Sequence, residues 1–152
     1  MGIKSRAENK KLNKRGVQKE QKCSSDQHPF FSFRYMTANG GYNINYLNSK
    51  DDNERSKTLA GIYASLERIS SEPWTTWISR NKAQGLETID YGRLNFEACG
   101  TTVLTRDTKV YIFRFATNGG NGKGRIIGFK DSPCSAFHII GYDFNFSAYS
   151  HG

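Results

Sequence analysis

Two arginines and one tyrosine in the last third of the chain have the types and spacing to act on a phosphodiester. Arg114 stands in the run Lys-Val-Tyr-Ile-Phe-Arg-Phe at residues 109–115. Arg125 stands in Gly-Arg-Ile-Ile-Gly-Phe-Lys at 124–130, and Tyr149 follows a third run, Ser-Ala-Phe-His-Ile-Ile-Gly-Tyr at 135–142. Each arginine alternates with apolar neighbours, the pattern of a residue on one face of a strand. If the strand register brings them to one face, their guanidinium forks stand side by side. That geometry suits a phosphate and its more negatively charged transition state. The plainer alternative is that each arginine pairs with Asp or Glu on an open sheet face.

Other chemistries lack apparatus in this sequence. The run Gly-Gly-Asn-Gly-Lys-Gly at 119–124 superficially suggests a phosphate loop. A P-loop, however, needs a hydroxyl residue after its lysine and a helix to follow, and here Gly124 and a strand take those places. The run reads instead as a hairpin turn that could carry Lys123 to a phosphate. His28, His138 and His151 are scattered, and the three cysteines (Cys23, Cys99 and Cys134) have no paired spacing. Neither a metal site, a cofactor site nor a disulfide framework is expected. His138 reads as a packed strand histidine, on the face of Ala136, Ile140 and Tyr142. No acyl-transfer signature is present.

The elements that must position these residues follow from hydrophobic periodicity. The three runs, rich in aromatic and β-branched residues and separated by Gly, Asn and Pro, predict a three-stranded antiparallel meander. Residues 30–36 (Phe-Phe-Ser-Phe-Arg-Tyr-Met) predict a first strand, with 42–47 as its short hairpin partner. Asp51 and Asp52 supply helix-start chemistry. Leu59, Ile62, Tyr63, Leu66 and Ile69 then form one apolar stripe on a helix of about five turns. Pro73 opens a second, shorter helix that carries Trp74, Trp77 and Ile78 on one face and ends at Gly85. The tryptophans read as core before they read as a binding surface. Residues 86–91 and 101–105 predict two more short strands. The fold class is therefore α+β, an antiparallel sheet of about four or more strands packed against one long and one short helix.

Charge is unevenly distributed. Residues 1–22 hold eight Lys/Arg against two Glu, a net of +6 out of a whole-chain +8. Residues 1–25 read as a basic, flexible leader and 26–152 as a single domain. The leader, with Lys10, Lys11, Lys14 and Arg15 at its centre, is either a solvated tail or an arm that seeks phosphates without reading sequence. No run is long and apolar enough for a membrane span and no secretion signal is visible, so a cytoplasmic location is expected.

Taken together, residues 109–115, 124–129 and 137–141, with Tyr149 eight residues after Gly141, resemble the closing meander of the RelE/ParE toxin superfamily. The resemblance covers about residues 53–149. It implies a RelE-like α+β domain and two alternative activities. In the RelE-like branch the protein would be a metal-independent endoribonuclease that cleaves RNA, on the ribosome or free, by attack of a ribose 2′-hydroxyl. Arg125 would stabilise the scissile phosphate, Tyr149 would stack on a base, and Lys109 and Arg114 would supply further cations. In the ParE-like branch it would be a non-catalytic inhibitor of a host or phage enzyme, of the gyrase type or another. A protein antitoxin is an implied partner in either case. The chain departs from the nucleases after Gly141, where Asp143 stands in place of a basic residue. Asp143 is either a base, with His151 as its partner, or a strand-end turn residue.

Overall fold

The computed structural model describes residues 27–100, 102–131 and 135–150. The basic leader, with Lys10, Lys11, Lys14 and Arg15, and His151 lie outside the described residues. The elements in order are β1 (Phe30–Ser32), a 3-10 helix (Ile44–Ser49), α1 (Asp52–Ser70), α2 (Trp74–Ile78), β2 (Leu86–Asp90), β3 (Lys109–Thr117), β4 (Gly122–Lys130) and β5 (Ala136–Asp143). They form an α+β fold around one five-stranded sheet of order β1-β5-β4-β3-β2.

The meander runs antiparallel as its alternation predicts, but the sheet is mixed. β1 pairs in parallel with β5, Phe30 facing Ala136 and Ser32 facing His138. Alternation specifies which face a side chain takes and says nothing about strand direction. The expected hairpin over 42–47 is replaced by the 3-10 helix. Asn43 caps that helix by accepting from the Asn45 N–H, and its side chain also donates to the Thr37 carbonyl. β1 pairs for only three residues because a turn closed by Met36 N–H to Phe33 O bends the chain away. The strand expected at 101–105 is absent over its described part, 102–105.

Helix α1 begins where the sequence predicts, with the Asp51 carboxylate accepting from Glu54 N–H at 2.8 Å. Its buried stripe agrees with the expected one at Ile62 and Ile69, with Leu66 packed against the core, and departs from it elsewhere. Thr58, Ile62, Ser65 and Ile69 are buried, whereas Leu59 and Tyr63 are exposed. β2 pairs with β3 only as far as Phe113, so the outer edge of residues 114–117 is left for the helix. Small polar residues do that work. Ser65 Oγ donates to the Arg114 carbonyl at 2.9 Å, and Thr58 Oγ1 accepts from Asn118 N–H at 3.1 Å. Between them Gly61 lies so close that a Cβ there would sit 1.9 Å from Ala116 O. A helix thus covers an otherwise unpaired strand edge.

Both sheet faces are buried over most of their area. On the helix side, Ile62, Ile69, Trp74, Trp77, Phe113, Ile126, Phe137 and Ile139 form one cluster. Both tryptophans are fully buried, each with its indole N–H donating to a carbonyl (Ser135 and Ile69), which fits the core reading; Ile78 is exposed. On the opposite face, irregular segments cover Val110, Ile112, Ile127 and Phe129, chiefly through Tyr35, Tyr42, Phe96 and Tyr149.

Candidate functional site

The β3–β4 register places Arg114 directly opposite Arg125, and the β4–β5 register places Arg125 opposite Asp143. The three residues form a row across three strands on the face away from α1. Lys123 stands opposite Ala116, on the same face and one step nearer the hairpin tip. Two guanidinium groups facing each other destabilise a sheet unless something offsets the repulsion. Here Asp143 does so. Its Oδ2 lies 3.0 Å from Arg125 Nη1, with side-chain exposures of 0% and 3% for Asp143 and Arg125.

Asp143 reaches this face through a bulge in β5. Ile127 faces Gly141 but Gly128 faces Ile139, so one extra residue is inserted on β5. The insertion reverses the alternation beyond it. Tyr142, expected on the face of His138, turns instead to the helix side with Ile126, and Asp143 turns to Arg125. The backbone groups around the bulge are satisfied by covering segments, Ile140 O by Thr37 N–H and Tyr142 N–H by Tyr42 O, both at 2.8 Å. A Cβ on Gly141 would strike the Phe96 ring at 2.5 Å. Glycine permits that approach.

The same carboxylate anchors the tail. Asp143 Oδ1 accepts from Ser147 N–H at 3.0 Å, and Oδ2 accepts from Ala148 N–H at 3.3 Å. The turn so formed lays two rings on Arg125, Phe146 at 4.2 Å and Tyr149 at 4.7 Å from Cζ. Asp143 is therefore a strand-end turn residue that also neutralises a buried arginine. Tyr149 is 3% exposed and its hydroxyl donates to Glu87 Oε2 at 2.9 Å, while Lys82 pairs with the other oxygen of Glu87 at 3.4 Å. Burial, followed by the hydrogen bond to Glu87, pushes the Tyr149 phenol well above its ordinary range. It remains a proton donor at neutral pH.

What solvent meets on this face is Arg114, Lys123 and Phe146. Arg114 and Lys123 are exposed, and neither is ion-paired with a carboxylate among the described residues. Phe146 is 43% exposed and holds φ at +60°, a conformation that L residues with bulky side chains seldom adopt. The strain, on the order of 1–2 kcal/mol, is offset by the contact with the Arg125 guanidinium, on the order of 1–2 kcal/mol for a desolvated cation–π pair.

The sequence-predicted residues thus divide. Arg114, Arg125, Asp143, Tyr149 and Lys123 come together on one face. Arg125 and Tyr149 are enclosed there rather than presented, so the phosphate clamp expected of Arg125 is occupied by Asp143. Lys109 lies on the opposite face beside Tyr111 and pairs with Asp90. Sequence reasoning did not find Phe146 or Glu87. A glycine inside an apolar strand was the available signal for the bulge, and Asp143 four residues before Ser147 was the signal for the turn. Among the described residues, no group of three or more His, Cys, Asp and Glu is placed to hold a metal, and no helix is long and apolar enough to cross a membrane. No family model, curated protein or solved structure matches the chain.

Proposed function

We propose that the protein binds single-stranded RNA on the face that carries Arg114, Lys123 and Phe146, as a small toxin-like protein. The observation that carries this reading is an exposed aromatic ring, held in a strained backbone conformation on a buried guanidinium, beside two exposed cations. Single-stranded nucleic acids are bound by such pairings of a stacking platform with backbone cations, with about 1–3 kcal/mol per stacked base. The ring takes a base and the cations take the flanking phosphates. The RelE-like branch of the resemblance implies the same class of target, with the ribosome and a protein antitoxin as partners.

Cleavage of the bound strand by its own 2′-hydroxyl is the second reading. The cross-strand pairing of Arg114 with Arg125 favours it, because it sets a solvent-facing guanidinium on the row where the resemblance puts the scissile phosphate. Arg114 would then do the work first expected of Arg125. The carboxylates beside Arg125 and Tyr149, Asp143 and Glu87, are engaged within the fold, so binding without cleavage is the better supported reading.

Fluorescence anisotropy with a labelled single-stranded RNA tests the proposal. Wild type binds with an affinity that falls as salt rises, Phe146→Gly loses about tenfold or more, and Arg114→Gln also weakens binding and flattens the salt dependence. Unchanged affinity in both variants overturns the reading. Fragments ending in 2′,3′-cyclic phosphate would favour the second reading, and a stable complex with a host enzyme without RNA binding would favour the ParE-like alternative.

A further inference from the structure

The exposed cations do not stop at the open face. Because β2 ends its pairing at Phe113, the outer edge of β3 at Arg114, the side away from β4, is bordered by α1 and not by another strand. Arg68 of α1 reaches this border, where its Nη2 donates to the Arg114 carbonyl at 3.3 Å. Arg114 carries its own side chain to the opposite face. A single strand backbone therefore separates the Arg114 guanidinium on one side from the Arg68 guanidinium on the other.

Arg68 has a companion. Its Cζ lies 5.3 Å from the Trp77 ring centroid, and the Cζ of Arg80 lies 4.3 Å from the same ring. Trp77 is itself fully buried, so the two arginines form its outer cover. One carboxylate, Glu72, pairs with Arg80. Two cations against one anion leave an excess of positive charge at the sheet edge. The Arg68 guanidinium is held below its ordinary range chiefly by burial, with a smaller push from the charge of Arg80 that Glu72 partly opposes. Such an excess is relieved by an anion, and planar guanidinium forks favour phosphate.

We propose that Arg68 and Arg80 form a second phosphate-binding point, so that an RNA strand lying on Arg114 and Phe146 crosses the β3 edge and continues along α1. This rests on the proposed RNA-binding face and adds a path and a minimum length of strand to it. The open face alone takes a short segment. The full path takes a longer one, in the range of single-domain sites of roughly 4–16 nucleotides.

The test compares a homopolymeric RNA of about four nucleotides with one of about twelve, on wild type, Arg80→Gln and Phe146→Gly. Arg80 is half-exposed and Arg68 stays in place, so the edge contact to the Arg114 carbonyl is retained; a thermal melt checks the fold, and Arg80→Lys provides a variant that keeps the charge. Wild type binds the long RNA more tightly than the short one. Arg80→Gln weakens the long RNA about threefold to tenfold, lowers its salt slope by about 0.7, and leaves the short RNA unchanged. Arg80→Lys retains that salt slope. Equal affinity of wild type for the two lengths, or an Arg80→Gln variant that changes neither or both alike, overturns the second point while leaving the first intact. Loss of the first is read separately, as Phe146→Gly matching wild type at both lengths, and absence of all RNA binding overturns both.

Discussion

Arg125 looks like a reactive group in the sequence and is an internal brace in the structure. Its charge is enclosed with that of Asp143, and removing one partner leaves the other buried without its counterpart. Arg125→Ala is expected to cost about 3–5 kcal/mol in a denaturant titration, whereas Arg114→Gln, at a solvent-facing position, should stay within about 0.5 kcal/mol of wild type. A small effect at Arg125 would mean that its pair with Asp143 is not the brace described. Replacing both partners by apolar residues should not restore full stability, because Asp143 also accepts the Ser147 and Ala148 N–H groups. Phe146→Gly should hold stability within about 1 kcal/mol, because relief of strain offsets the lost ring contact; RNA affinity and stability should therefore separate at this residue. Tyr142 makes a pH prediction. Burial pushes its phenol up to about 12, so below its ordinary value near 10 it has no effect. Above that, the unfolded chain gives up the proton first and stability falls, by about 2–3 kcal/mol at pH 12. Tyr149 shifts in the same direction. Tyr142→Phe should remove its share of the alkaline loss in urea unfolding at about pH 9 and about pH 12.

Among the elements, what could be read from the sequence was whatever alternation or capping encodes. The meander strands lie within two residues of their expected bounds, and the Asp51 cap marks the start of α1. The stripe of α1 held at Ile62, Leu66 and Ile69 but misled at Leu59 and Tyr63, because Thr58, Gly61 and Ser65 face a strand edge, where a hydroxyl and a bare Cα suit exposed carbonyls better than leucine does. Hydrophobicity ranks such positions as outward. Gly61→Ala tests the edge contact. Ala is the better helix former by about 1 kcal/mol, yet its Cβ would displace the helix from Ala116 O, and a net loss of about 1–3 kcal/mol is expected in thermal unfolding. Gly40→Ala, with nothing within 4 Å of the new methyl group, is the control. The same limit governs the site. Side-chain period two put each arginine on one face of its own strand and left their shared face to the register, and one inserted residue in β5 exchanged the faces of Tyr142 and Asp143. Residue types alone carry no count of such insertions.

At the scale of the molecule, the sheet is protected on both sides for most of its length and left open at the β3–β4 tip. The covering segments, 35–48 and 91–98, protect the far end, and residues 144–149 fold over Arg125. Charge and exposure therefore coincide at one corner, where an electrostatic ligand meets little competition from apolar surface. Its binding should be strongly salt-dependent, since phosphate contacts release counterions.

The parallel seating of β1 carries a cost in time. Gln27 and Ser135, which meet beside it, are 108 residues apart in the chain, and closing so long a loop is slow compared with forming the β3–β4 hairpin. During synthesis the rings of Phe30, Phe31 and Phe33 emerge well before the strand that will shelter Phe31. Over that interval they are an adhesive segment with no seat, the transiently exposed apolar surface that invites aggregation before the fold closes.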